Sequence, residues 1–199
     1  MSRAKDLALS AAAGAGGTVV FLFAFPKGSV STLMHAVLHL PGPGAGIALL
    51  LGPFLILVAL NSSLLSRAGG GALAASLGFA VCYALVTWFF SIPTDPKGAF
   101  GSLWFIAAVA LFGLAVEAVM LFGRAFSQTA RCLLAGAFAN VVLLLFYWLV
   151  IFPRTAGWAK WGDIPILTAV CLAGGLLSGY VARVTSKALC RALAVEHQE

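Results

Sequence analysis

The chain has 199 residues, of which 62% are hydrophobic and 9% charged, with a mean hydropathy of +1.05. Water-soluble domains carry about 25% charge, so this composition excludes an ordinary soluble fold. The net charge of +6 is spread over short loops and not gathered into a patch. It therefore reads as membrane topology signalling and not as nucleic-acid binding.

Six apolar runs fill the chain, at 7–25, 47–65, 72–92, 99–122, 132–152 and 164–182. A bilayer core about 30 Å thick is crossed by about 20 helical residues, and inside it only helices and closed barrels satisfy their own backbone. The runs show no period-two alternation, so they predict an all-α membrane protein. The expected fold is a single six-span domain, residues 1–199, forming a compact bundle. The first run follows Arg3 and Lys5 but is longer than a signal-peptide core, and it is expected to be a span.

With both termini inside, Arg3, Lys5, Arg67, Arg124, Arg131, Arg183, Lys187 and Arg191 lie on the inner side. Lys27, Lys97, Arg154 and Lys160 lie outside. That asymmetry favours two cytoplasmic termini in a cell (inner) membrane. Spans one, three and five leave through Phe25-Pro26-Lys27, Pro93 to Gly98 and Phe152-Pro153-Arg154, where proline is expected to stop the helix and a basic group to reach the headgroups.

The first outer loop predicts a short amphipathic helix over 29–40, with His35 and His39 one turn apart on a shared face; Pro41 to Gly46 then breaks it. The histidines have three readings: hydrogen-bonding groups at the interface, contacts to a substrate, or half of a metal or haem site. Only Asp95 and Asp163 lie in outer loops to complete a metal set, and no metal site or cofactor is expected. Cys82, Cys132, Cys171 and Cys190 form no CxxC pair and read as small buried hydrophobes.

The five tryptophans, Trp88, Trp104, Trp148, Trp158 and Trp161, all fall toward the outer side, together with Tyr147. Two explanations stand: a one-sided interfacial belt, or the walls of a pocket for a flat ligand. Asn140, near the middle of span five, is either interhelical glue or a hydrogen-bond donor to a ligand. Glu117 is the acidic residue placed well inside a span, so it needs a partner. Arg124, seven residues on and near the same face, is the expected structural ion-pair partner, with Arg131 and Asn61 as alternatives.

Small residues crowd span one, where Ala8/Ala12, Ala11/Ala15 and Ala12/Gly16 are four apart, and span six, where Gly175 and Gly179 are. Such faces let helix backbones approach closely in lipid. Span one is small on nearly every side, more than one internal neighbour requires. No metalloprotease, serine-hydrolase or nucleotide-binding motif occurs, so no enzyme is expected.

In three places the chain resembles the substrate-binding S components of energy-coupling factor (ECF) transporters. These are the alanine-rich opening helix (Ala8, Ala11, Ala12, Ala15), the glycine-rich PGPGAGIALLLGP approach to span two (41–53), and the Ala173-Gly174-Gly175-Leu176-Leu177-Ser178-Gly179-Tyr180 stretch before a basic end. The resemblance implies a capture subunit of a vitamin importer with no ATPase of its own. Its AxxxA-type face would dock on a membrane coupling subunit, and cytoplasmic ATPases would supply energy. The metal-type members open with Met-His, whereas this chain opens Met1-Ser2-Arg3, which points away from nickel or cobalt. On this reading a small planar molecule enters from outside and meets His35, His39, Trp88, Trp104, Asn140, Tyr147 and Trp148, while Lys27, Lys97 and Arg154 attract an anionic group. The alternative is a membrane-anchor or scaffold subunit of a larger, redox-linked complex. Haem ligation there would need histidines on facing helices, and the spans contain none.

Overall fold

The computed structural model describes residues 3–25, 39–40, 44–66, 69–90, 103–155 and 161–196. The loop helix expected over 29–40 and His35 fall outside that set, apart from residues 39 and 40. Among the described residues there is no strand. Six helices of the described residues are long and apolar enough to cross a membrane. They are α1 (Arg3–Ala24), α2 (π-helical over Ile47–Leu51, then α-helical over Gly52–Leu65), α3 (Gly71–Phe89), α4 (Leu103–Phe122, closed by a 3-10 turn at Gly123–Ala125), α5 (Gln128–Phe146, π-helical over Tyr147–Ile151, α-helical again over Phe152–Thr155) and α6 (Ile164–Glu196).

The six apolar runs therefore correspond to six helices, and the differences lie at the ends. Helix α5 begins four residues before its apolar run, because the Ser127 side chain accepts a hydrogen bond from the Ala130 amide at 3.2 Å and caps the first turn. Helix α6 continues to Glu196, well past the end of the apolar run at 182. The bilayer requires apolar side chains, but a helix does not, and Arg183, Lys187 and Arg191 propagate it without a breaker. Pro153 does not stop α5 as expected; the helix passes it through a π turn.

Helix α2 is the hub, touching all five others, whereas among the described residues α1 touches only α3 and α2. The core between them holds Leu55, Ile56, Leu60, Phe79, Phe105, Phe112 and Val116. Several helix pairs approach at backbone distance, two of them through glycines on both helices. On α1 and α3, a methyl at Gly14 would overlap the Ala75 carbonyl, and one at Gly78 the Ala11 carbonyl. Thr18 locks this seam by donating to the Phe79 carbonyl at 2.8 Å. On α5 and α6, a methyl at Gly136 would overlap the Gly175 carbonyl, and one at Gly179 the Cys132 carbonyl. Lipid tails are as apolar as leucine, so close van der Waals packing of this kind, and not water exclusion, holds helices together in a bilayer.

Large apolar side chains cover the outside, among them Val20, Phe23, Leu103, Leu149 and Leu177. In water such a continuous apolar surface would aggregate; against acyl chains it is the required surface.

Candidate functional site

The polar centre of the bundle is built around a proline. In α2 the Gly52 amide bonds back to the Ile47 carbonyl, one residue further than in an α-helix. The next carbonyl, that of Ala48, would then need an amide at position 53, which is Pro53 and has none. Asn140 of α5 supplies the missing donor: its Nδ2 lies 3.0 Å from the Ala48 carbonyl and 2.8 Å from the Cys171 carbonyl of α6. One fully buried amide thus ties three helices at mid-bundle. Its Oδ1 faces Gly52, where a methyl would overlap it, and has no hydrogen-bond partner. Of the two readings left open by the sequence, interhelical glue describes this geometry.

The same device recurs in α5. The Phe152 amide bonds to the Tyr147 carbonyl across the second π turn, and Pro153 follows. These two π segments lie at the same end of the bundle. Trp148 is buried in a cluster with Ala45, Ala48, Leu144, Leu167 and Cys171. Gly44, at φ +107°, lets the incoming chain press against it: a Cβ there would come within 3.2 Å of the indole Nε1. Tyr147 is half-buried, its ring 5.9 Å from Phe152. His39 is exposed and adopts φ +51°, uncommon for a residue other than glycine.

The described tryptophans other than Trp148 point outward at this end, with Phe89 and Phe90. Trp88 is 75% exposed beside Phe89 and Phe90, Trp104 is 46% exposed, and Trp161 88%. Arg154 stacks over Trp104, its guanidinium 4.4 Å from the ring, and donates to the Val150 carbonyl. An outward ring of indoles with a stacked arginine is how an interfacial belt is arranged. Of the seven expected substrate residues, His35 lies outside the described residues and the other six separate. Asn140 and Trp148 share the buried seam of α5 against α2 and α6. Tyr147 sits at its rim, His39 is exposed on the incoming segment, and Trp88 and Trp104 look away from it.

At the opposite, terminus-bearing end, Glu117 is not paired with Arg124. Its Oε1 accepts the Ala72 amide of α3 at 2.7 Å, so the carboxylate caps a helix start. Arg124 is exposed in the 3-10 turn that closes α4. Asn61 is also engaged elsewhere, sharing a 3.1 Å hydrogen bond with Thr185 of α6. An apolar run that begins at Ala72 after Gly69-Gly70-Gly71 carries no hint of a distant carboxylate cap, which is why the sequence did not reveal this contact.

The four small residues expected to meet a partner divide between two sides of α1. Ala11 is half-buried, its backbone packed on Gly78, and Ala15 is half-buried. Ala8 and Ala12 are exposed, and Gly16, four residues on, has nothing within 4 Å of where its Cβ would be. Among the described residues no group of three or more metal-ligating side chains assembles. Comparison with protein-family models, curated proteins and solved structures finds no match.

Proposed function

We propose that this chain works as a subunit of a larger membrane assembly and docks through the outward face of α1. The observation that carries this reading is the division of α1. Its Ala11/Gly14 side is spent on α3, while Ala8, Ala12 and Gly16 leave a second small face bare on the most peripheral helix. Facing lipid tails requires no small residues; close approach of another helix backbone does. Widening the face with Ala12→Trp should leave the folded monomer intact and remove it from its native-sized complex on a detergent gel. An unchanged complex size would exclude docking here.

Within that assembly the proposed task is the one the ECF resemblance implies: capture of a small, vitamin-like planar molecule from outside for an importer. The partner is then the coupling subunit, the ATPases lie in the cytoplasm, and both termini are cytoplasmic in the cell membrane. The hydrogen bonds of Asn140 and the outward turn of Trp88 and Trp104 leave His39, Tyr147 and Trp148, near the two π turns, as the candidate ligand contacts. Mass spectrometry of small molecules released from purified protein, followed by titration with planar vitamins, tests this; His39→Ala should weaken binding about tenfold, the loss of roughly one good hydrogen bond. Protein that releases nothing and binds none of the panel favours the second reading, a scaffold subunit, which the closed Asn140 seam and the outward tryptophans support.

A further inference from the structure

The terminus-bearing end holds an uncompensated pair of cations. Arg131 lies in the first turn of α5, its methylenes packed over Gly123 and its Nη1 3.4 Å from the Met120 carbonyl. Arg183 lies on α6 one turn beyond Gly179, the glycine that abuts the Cys132 carbonyl of α5, so it reaches the same seam from the other helix. Both guanidiniums lie within electrostatic range of Cys132. Each has a buried Nε without a hydrogen-bond partner, a costly state for a charged donor.

No carboxylate of the described residues can neutralise them. Glu117 forms no ion pair with either arginine, its Oε1 accepting the Ala72 amide of α3, and Asp163 lies at the opposite end, at the start of α6. Asp6 is on α1, which touches neither α5 nor α6. Glu196 is thirteen residues beyond Arg183, about 20 Å along the helix. At this end the neighbouring spans stop at Leu65 and Phe122, so the pair lies at headgroup depth. A ligand that satisfies two guanidiniums placed either side of Cys132 must be anionic and rich in acceptors, and guanidinium matches phosphate geometry in particular.

We infer that Arg131 and Arg183 together bind a phosphate group at the rim between α5 and α6, and that its position makes the donor an anionic phospholipid. This site is independent of what α1 docks to or what the other end binds. Basic pockets between spans are a physical setting for such headgroups.

The test uses the purified full chain in mixed micelles doped with phosphatidylglycerol or phosphatidylcholine, or with inorganic phosphate added to the phosphatidylcholine sample. Retained lipid is read by native mass spectrometry and the thermal unfolding midpoint is followed. Phosphatidylglycerol should be retained over phosphatidylcholine by about fivefold for each guanidinium engaged, with a higher midpoint. Arg131→Gln and Arg183→Gln should each reduce that preference, while Lys5→Gln, exposed on α1, which touches neither α5 nor α6, should keep most of it. Equal stabilisation by inorganic phosphate, with the same response to the two variants, would keep the site but make its ligand a soluble anion. No preference of the wild-type chain for phosphatidylglycerol and no response to phosphate would overturn the proposal, whether or not the variants fold. So would a preference that survives both arginine substitutions.

Discussion

At the residue scale, Asn140 and Pro53 explain each other. A proline inside a membrane helix leaves a carbonyl without its donor, and in lipid that group must be satisfied by protein. Asn140 reaches from α5 to do so and takes the Cys171 carbonyl as well. Asn140→Leu should therefore lower stability by about 1–2 kcal/mol, at the upper end for interhelical hydrogen bonds in bilayers, measured by denaturant titration in mixed micelles. The cost should shrink in a Pro53→Ala background, because an amide at position 53 can donate to the Ala48 carbonyl. A double-mutant cycle reads that coupling directly, and strict additivity would contradict the account. Gly52→Ala should behave like the asparagine mutant, since its methyl displaces the Asn140 amide. The sequence showed that Asn140 was buried and polar, but not which of two roles it had. The answer depended on Pro53, 87 positions away, and no local pattern links the two.

At the element scale, helix pairs are selected by where glycine permits backbones to touch. Gly136→Val should destabilise the α5–α6 pair by more than about 3 kcal/mol, because its branches meet the Gly175 carbonyl and neither backbone can yield cheaply. Gly16→Ala, at an open position of α1, should cost nothing measurable and gain slightly in helix propensity. Comparable effects from the two would mean the small residues are not packing devices. Helix existence was legible in the sequence because apolar length is what a bilayer demands. Helix ends were less so: α5 starts on a serine cap and passes Pro153, and α6 outruns its apolar stretch, and each of those is decided by hydrogen bonding and not by hydropathy. The small-residue faces were also legible, though not their division. Ala8, Ala11, Ala12 and Ala15 are alike in sequence, and only the position of Gly78 on α3 assigns Ala11 to the inside.

At the scale of the whole molecule, the bundle is polarised. One end carries Arg3, Lys5, Arg124, Arg131, Arg183, Lys187 and Arg191, and the other an outward ring of Trp88, Trp104 and Trp161. Span number and the apolar outside follow from composition. The expected gathering of indoles into one pocket does not follow, because an indole at an interface is equally at home facing headgroups. Helix α1, packed on α3 through a glycine seam and on α2 through Gly17 and Phe21, still leaves Ala8, Ala12 and Gly16 uncovered.

The most direct test of that claim is a photocrosslinking scan along α1 in native membranes, with a photoreactive residue placed in turn at positions 8, 11, 12 and 16. Adducts to another membrane protein are expected at 8, 12 and 16, and a link within the chain, to α3, at 11. Lipid adducts alone at 8, 12 and 16 would contradict the claim.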